Sequence, residues 1–435
     1  MIKIKTVYLT LSGEMIHHGH INLIQKAQKF GTLIIGLLTD QAIMENKSLP
    51  LLNWDQRKKI LQNINGVKKV IPQNEWDDAV NIMKIKPDYV IHGDDWKFSD
   101  KKLRKSVISA VKRYGGKLIE TPYTKNIFIS EIKNKILKKT NTPLSRRNML
   151  KRLLTVKPIC RFIEAHSPLS ALVAENAKHE KNGVIREFDG FWSSSLTDST
   201  LKGKPDIEVL DINQRLQNIN DIFDVTTKPL IMDADTGGKI EHFEINMKSV
   251  ERIGVSAVII EDKKGLKKNS LLGTSVKQEQ DSIKNFCRKI MIGNKACKTN
   301  DLMLFARVES LVLNKGVEDA LKRAFSYLDA GASGIMIHSK ENNAKQIFDF
   351  AKKFRKKIKI NVPLVVVPST FNKVKESQFI DNGFNIIIYA NQLLRASYPS
   401  MLDVAQGILR HQRSFEQEKK IISIKEILKL IPGTI

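Results

Sequence analysis

Short apolar runs alternate with amphipathic stretches along the whole chain. Over residues 1–137 the runs Val7-Tyr8-Leu9, Leu33-Ile-Ile-Gly-Leu-Leu38, Lys69-Val-Ile71 and Tyr89-Val-Ile91 have the length and composition of buried strands. Between them, residues 21–30, 54–63 and 102–114 carry apolar positions at helical spacing. Strands that alternate with helices predict a parallel sheet covered on both faces. The polar stretch 138–150, which contains Pro143, breaks the pattern and is read as a linker.

From 151 to 435 the alternation becomes more regular. Eight apolar runs follow one another: 161–164, 187–192, 229–232, 257–260, 303–306, 334–337, 364–367 and 385–388. Helical patterns such as 317–328 and 342–356 separate them. Eight strand–helix units in about 285 residues predict a (β/α)₈ barrel of the TIM type. In such a barrel chemistry gathers at the C-terminal ends of the strands, so the residues that follow each run carry the functional question.

Composition narrows the classes. The 435 residues hold three cysteines, too scattered for a disulfide framework or a zinc site. No run approaches the ~20 apolar residues that span a bilayer, and the first residues read as a strand rather than a signal peptide. A cytoplasmic protein without a membrane partner is expected. The net charge of +26 comes from lysines spread through every segment, without long basic blocks. It predicts attraction of anionic substrates, not nucleic-acid binding.

Polar groups follow nearly every barrel run. Trp192-Ser-Ser-Ser195 comes after the second, Asp233-Ala-Asp-Thr-Gly-Gly238 after the third and Glu261-Asp-Lys263 after the fourth. Arg307-Val-Glu309, His338-Ser-Lys340, Pro368-Ser-Thr370 and Asn391 come after the remaining four. Asp-Ala-Asp alone could simply cap a helix. Asp233, Asp235 and Glu261 on neighbouring strands repel one another unless a cation neutralises them, and hard oxygen ligands suit Mg²⁺. Arg307 and His338 supply positive charge opposite, which frames a small acid with two charged ends. The segment Lys267-Lys-Asn-Ser270 after Gly265 is either a solvated basic loop or a lid whose Lys and Asn reach a phosphoryl group.

Five motifs in order, Trp-x-Ser-Ser, Asp-x-Asp-Thr-Gly, Glu-Asp-Lys-(x)₃-Lys-x-Asn-Ser, Ala-Arg-x-Glu-Ser and Met-x-His-Ser-Lys, make the region from about 155 onward resemble phosphoenolpyruvate phosphomutase. That family belongs to the isocitrate lyase superfamily. The resemblance implies interconversion of phosphoenolpyruvate and phosphonopyruvate, the first step toward phosphonates. It also implies roles. Asp233, Asp235 and Glu261 would hold Mg²⁺ directly or through water. Trp192, Ser194, Ser195 and Leu196 would meet the pyruvyl part. Arg307, His338 and Asn269 would hold the phosphoryl group, Asp206 would be a further active-site aspartate and Lys267 the lysine of the gating loop. Leu266 stands where many members have proline. Lyases of the superfamily carry a cysteine in this loop; here the stretch is Lys267-Lys-Asn-Ser-Leu271, which argues against carbon–carbon lyase activity. The superfamily further suggests a homo-oligomer, dimer or tetramer, with helices exchanged around residues 393–411.

In the first domain His17-His-Gly-His20 follows a strand and opens a helix, a site suited to nucleotide phosphates. Together with Arg57 and with His92-Gly-Asp94-Asp-Trp96, it is similar to cytidylyltransferases of the glycerol-3-phosphate type. The resemblance implies a Rossmann-like nucleotidyltransferase domain in which His17, His20, Arg57 and Asp94 bind nucleotide and CMP passes from CTP to a phosphonate. The family's Arg-Thr-x-Gly-Ile-Ser-Thr-Thr-like element stands here as Tyr123-Thr-Lys-Asn-Ile-Phe-Ile-Ser130, without its arginine and most of its hydroxyls. Two rivals to the mutase remain: a phosphonopyruvate hydrolase, and a protein whose two domains only bind.

Overall fold

The computed structural model describes residues 5–47, 49–94, 96–122, 142–181, 184–265, 267–359 and 361–431. The altered stretch 123–130, Asp95 and Leu266 lie outside the described residues. Contacts divide the chain into two compact units. One is Met1–Asn141 with Arg152–Pro158 and Lys178–Arg186; the other is Thr142–Lys151 with Ile159–Ala177 and Glu187–Ile435.

The first unit is built on five parallel strands, β1 (Thr6–Leu11), β2 (Thr32–Leu38), β3 (Val67–Gln73), β4 (Tyr89–Gly93) and β5 (Lys117–Thr121). Their order is β3-β2-β1-β4-β5, so the sheet reverses direction of growth between β1 and β4. Ligands of open α/β sheets bind in the crevice that such a reversal opens at the strand C-termini. The helix His18–Gln28 starts there, directly after β1. Each face has its own apolar layer: Val7, Leu9, Ile24, Leu33, Ile35 and Ile91 on one, Tyr8, Ile82, Val90, Trp96 and Val107 on the other.

The second unit is the expected closed barrel. Its strands are β6 (Cys160–Glu164), β9 (Gly190–Ser193), β10 (Leu230–Asp233), β11 (Ala257–Glu261), β14 (Met303–Val308), β15 (Gly334–Ile337), β16 (Leu364–Val366) and β17 (Ile386–Tyr389). All run parallel, and β17 pairs with β6 to close the ring. Among the described residues two small two-stranded sheets remain: β7 (Lys178–Lys181) with β8 (Val184–Glu187), which falls mainly in the first unit, and β12 (Lys263–Lys264) with β13 (Glu279–Gln280) in the second. Six of the barrel strands are buried at every position, as strands covered on both faces must be. Gly190 opens β9 because a Cβ there would lie 2.3 Å from the Phe162 ring and 2.5 Å from the Pro229 carbonyl oxygen. Tight strand packing thus demands glycine at that point.

The expected linker at 138–150 is corrected in part. Pro143 does not break the chain but begins a helix, Pro143–Val156, in which Leu150 and Leu153 are buried. Proline is favoured at a first helical position, where its missing N–H has no partner to lose.

Candidate active site

At the barrel mouth, the residues after β9, β10, β11, β14 and β15 converge. Ser194 caps the short helix Ser195–Leu201 by accepting from the Thr197 amide, which fixes Ser195 and Leu196 at the rim. After β10, Asp235 takes a left-handed backbone (φ 53°), tolerable for aspartate, and its amide donates to Asp233 Oδ1 at 3.1 Å. Gly237 and Gly238, also at positive φ, finish the turn. One cavity of about 60 Å³ is lined by Trp192, Ser194, Ser195, Leu196, Asp206 and Asp233, with Lys267, Asn269, Arg307 and His338 closing it. Ten of the twelve barrel residues singled out from sequence therefore share one cavity. Asp235 lines a neighbouring cleft with Glu208 and Arg215 instead, and Glu261 lies buried behind Arg307.

The acids and bases form one connected network. Ser195 Oγ donates to Asp233 Oδ2 at 3.0 Å. Lys267, 5% exposed, pairs with Asp206 Oδ1 at 2.7 Å, with Asp235 Oδ1, and donates to Ser195 Oγ. Asn269 Nδ2 donates to Asp206 Oδ2 at 3.0 Å. The 267–270 stretch is therefore folded over the mouth, as a closed lid would be. Arg307 meets Glu309 Oε1 at 2.6 Å, Glu261 Oε2 at 3.2 Å, Ser270 Oγ at 2.6 Å and His338 Nδ1 at 3.0 Å.

Charge state follows from these surroundings. At Asp233 burial alone would raise the pKa, but Lys267, Arg307 and Arg215 outweigh it and the group is held below its ordinary value. At Asp235 burial prevails over the same lysine, and the pKa rises. Burial also raises Glu261, against Arg307 and Lys263. His338 is lowered by burial and then by Arg307, so its ring is neutral near pH 7. His338 Nδ1 lies 3.0 Å from the Arg307 guanidinium, which can only donate, and 3.3 Å from Glu309 Oε1; assigned by the shorter contact, Nδ1 accepts and the proton sits on Nε2.

Three participants received no role from the sequence: Arg215 went unnoticed, while Lys263 and Glu309 were noted only as polar strand ends. Arg215 projects from the helix Ile212–Val225, pairs with Asp198 at 3.0 Å and Asp235 at 3.5 Å, and donates to the Asp233 carbonyl. A signal existed: Arg215 shares the buried helix face of Ile219 and Ile222, where a charge needs partners. Lys263 is also buried, between Glu261 (3.6 Å) and Glu309 (3.3 Å), and donates to Ser270 Oγ and the Lys268 carbonyl. Glu309 is held well below its ordinary value: burial, which would raise it, is outweighed by Arg307 and Lys263.

Among the described residues no three His, Cys, Asp or Glu side chains come together tightly enough to chelate a metal unaided. The donors nevertheless suit a hydrated divalent cation. Asp235 Oδ1 and both Glu261 oxygens are buried without a hydrogen bond, although lysine and arginine pair with them ionically. Hard oxygen donors with spare lone pairs are what a cation that keeps several waters can use.

In the first unit, His17 is the N-cap of the helix His18–Gln28. Its Nδ1 accepts from the Gly19 amide at 3.1 Å, while His20 Nδ1 accepts from the His17 amide at 3.4 Å. Both rings therefore carry their protons on Nε2, and His17 Nε2 is buried without a partner. They line a cavity of about 330 Å³ with Gly19, Asn22, Lys26, Gly93 and Thr121. Arg57 and Asp94 do not line it. Arg57 is fully buried, where it bonds the Ser12 and Leu52 carbonyls and pairs with Asp40 at 2.5 Å. Its observed contacts hold loops together rather than face a ligand.

Comparison with known proteins agrees with this geometry. A family model described as phosphoenolpyruvate phosphomutase matches residues 150–409, and one described as cytidylyltransferase-like matches residues 14–156. The phosphoenolpyruvate phosphomutase of Tetrahymena pyriformis is 31% identical over 290 residues, which cover 66% of this chain and 91% of that protein. The crystal structure of phosphoenolpyruvate phosphomutase from Streptomyces platensis subsp. rosaceus matches with a TM-score of 0.60 at 29% identity, over 66% of this chain and 94% of that one. Phosphonopyruvate hydrolase, crystallised with oxalate and Mg²⁺, matches with a TM-score of 0.58 at 30% identity, over 66% of this chain and 94% of that one.

Proposed function

The chain belongs to the phosphoenolpyruvate phosphomutase family, and from that premise we propose that its barrel interconverts phosphoenolpyruvate and 3-phosphonopyruvate with Mg²⁺, in phosphonate biosynthesis. The observation that carries this reading is the cavity that brings Asp233, Ser195, Asn269, Arg307 and His338 together. Asp233, Asp235 and Glu261 would hold Mg²⁺, in part through water. When bound, the cation supplies positive charge for the substrate's carboxylate and enol oxygen.

The protein side of the reaction is positioning and charge. The enol O–P bond breaks, a P–C bond forms at the same molecule's methylene carbon, and no proton or electron is taken up. A loosely bonded phosphoryl group is stabilised by donors on its equatorial oxygens. Arg307, the Nε2–H of His338 and the Asn269 amide are those donors. Ser194, Ser195 and Leu196 orient the pyruvyl part so that oxygen and carbon take turns facing phosphorus. Asp206 fastens Lys267 and Asn269, and so keeps the lid's donors aimed inward.

Phosphonopyruvate hydrolase is the second reading, because its similarity is as high as that of the mutases. The closed lid favours the mutase, since water admitted to the cavity would capture the phosphoryl group. Lyase chemistry through a thiol has no support: Cys160, Cys287 and Cys297 all lie away from the cavity lining. Phosphorus NMR after addition of phosphonopyruvate and Mg²⁺ separates the readings. Phosphoenolpyruvate marks the mutase, inorganic phosphate the hydrolase, and an unchanged spectrum a binding protein. Asp233→Ala is expected to abolish turnover while circular dichroism stays that of the native barrel; retained activity refutes its role.

For the first unit the proposal is CMP transfer from CTP to a phosphonate. Two Nε2–H donors at a helix N-terminus, beside Lys26, support binding of the nucleotide phosphates. His17→Asn separates chemistry from structure, because asparagine is among the best helix caps. The variant is expected to melt within about 0.5 kcal/mol of wild type while releasing no pyrophosphate from CTP and a phosphonate. Equal pyrophosphate release by variant and wild type would sink the catalytic role.

A homo-oligomer completes the proposal. The helix Gln392–His411 exposes Tyr398, Met401, Leu402, Ile408 and Leu409, an apolar face that a second copy of the same helix would cover. Light scattering coupled to size exclusion measures it; a monomer at micromolar concentration contradicts it.

A further inference from the structure

Asn391 follows β17 and is the N-cap of the helix Gln392–His411. Asparagine favours that position because its side-chain oxygen accepts the amides two and three residues on. In this helix those amides go elsewhere. Leu393 and Leu394 donate to Glu164 Oε2 at 3.2 Å and Oε1 at 2.9 Å, and Glu164 ends the neighbouring strand β6. Glu164 is fully buried, and its carboxylate also suits the positive end of a helix dipole. The Asn391 backbone amide is occupied too, donating to Gln392 Oε1 at 3.1 Å.

The cap is thus complete without the Asn391 side chain, which makes no cap bond. That side chain lines the barrel cavity together with Trp192 and Ser369. Asn391 is 8% exposed, and its Oδ1 is buried without a hydrogen-bond partner among the described residues. A buried polar atom left unpaired is costly, and natural folds keep few of them. In a cavity lining, such an atom marks a ligand contact. We propose that Asn391 is a further substrate-contacting residue of the barrel, whose side-chain amide donates to an anionic oxygen of the substrate. Glu164 is then its positioning residue: by capping the helix from β6 it keeps the Asn391 side chain off the helix and available to the cavity.

This inference deepens the mutase reading and rests on it. The carboxylate and phosphoryl oxygens of phosphoenolpyruvate and phosphonopyruvate accept hydrogen bonds, so the amide meets them with Nδ2. A half-turn of the terminal torsion exchanges Nδ2 with Oδ1 at no cost in shape. The contact adds direction without adding charge. An acid of the same size at 391 would instead repel a substrate that is anionic at both ends.

The test uses the full-length protein with Mg²⁺ and two probes. Phosphonopyruvate turnover gives KM and kcat; oxalate, which carries carboxylates alone, is followed by titration calorimetry. Asn391→Ala is expected to raise the KM for phosphonopyruvate about tenfold or more, the range of a hydrogen bond to a charged acceptor. Its kcat should stay within about threefold, as for a contact made alike in ground and transition state. Oxalate binding weakened by a similar factor assigns the amide to the carboxylate end, and unchanged oxalate binding assigns it to the phosphoryl end. Asn391→Asp should lose more than Asn391→Ala on both probes. The melting temperature of Asn391→Ala should match wild type, because no cap bond is removed; a lower melting temperature with KM unchanged marks a structural cap and overturns the proposal. Glu164→Gln keeps one acceptor oxygen and leaves one amide to recapture Asn391. It is expected to raise KM as well, but not further in the double variant with Asn391→Ala. A full additional rise in the double variant overturns the positioning role. If wild type turns over phosphonopyruvate and Asn391→Ala is indistinguishable from it, this inference falls alone. If wild type neither turns over phosphonopyruvate nor binds oxalate, the mutase reading falls and takes the inference with it.

Discussion

His20 shows how one residue ties fold to pH. Burial, then His17 and Lys47, lower its pKa to about 4 from an ordinary value of 6.5. The folded state thus prefers the neutral ring, whose Nδ1 accepts the His17 amide. The sign of the linkage is fixed: this contribution to stability is complete above pH 6.5 and is lost as the pH falls through about 4. Thermal unfolding of wild type and His20→Gln between pH 7 and 4 measures it. Wild type is expected to lose more stability than the variant over that window, and parallel losses would contradict the shift. At the same scale, sequence told which side chains meet in one cavity better than how each of them is turned. Asp233, Arg307 and His338 were legible because strand ends project into a barrel mouth. Asp235 turning to a neighbouring cleft was not, since a single left-handed residue decides it. The surroundings of Arg57, named from its Asp-Gln-Arg-Lys motif, were not legible either: Asp40 and two carbonyls hold it in the fold, and Asp40 and Ser12 come from distant parts of the sequence.

At the scale of elements, each of the eight apolar runs overlaps a barrel strand, because doubly covered strands are mostly apolar, a pattern that survives without tertiary information. Strand β5 was missed, since Lys117-Leu-Ile-Glu-Thr121 offers only two apolar residues and finds its place by pairing with β4. The small sheets β7–β8 and β12–β13 are mostly polar and exist through their pairing, which composition does not display. The lid is the element whose behaviour can be tested most directly. Gly265 sits at φ 77° with open space where a Cβ would stand. Alanine there meets no clash but bears the left-handed penalty of roughly 1–2 kcal/mol. Gly316, at φ 82° and equally uncrowded, is the matched control outside the lid. Gly265→Ala is expected to shift the lid away from its closed form by about fivefold or more. Turnover should fall, and the share of inorganic phosphate among the phosphorus NMR products should rise as water enters. The same changes in Gly316→Ala would assign the effect to general destabilisation instead.

At the scale of the molecule, the two units have separate cores, and the proposed function gives each of them an anionic ligand. The sheet unit buries its apolar layers around β1–β5, whereas the barrel's core lies between its strands and its ring of helices. Separate cores unfold as separate cooperative transitions unless the surface between them is large and apolar. A ligand that binds only one unit then stabilises only that unit, by RT ln(1 + [L]/Kd), or about 2.7 kcal/mol at a hundredfold excess over Kd. Calorimetry of the whole chain is therefore expected to show two transitions. CTP should raise the midpoint of one alone; Mg²⁺ with oxalate, the dianion crystallised with Mg²⁺ in phosphonopyruvate hydrolase, should raise the other alone. The net charge of +26 adds a condition to this experiment, because a strongly positive chain attracts any anion weakly. The specific shifts should persist at about 0.15 M salt, where unspecific attraction is largely screened. If both midpoints rise with either ligand, the units behave as one thermodynamic body and the division of labour between sheet and barrel is wrong. If only the oxalate shift survives, the barrel chemistry stands, and the altered stretch 123–130 becomes the physical reason for a first unit that has kept the nucleotide fold and lost the nucleotide.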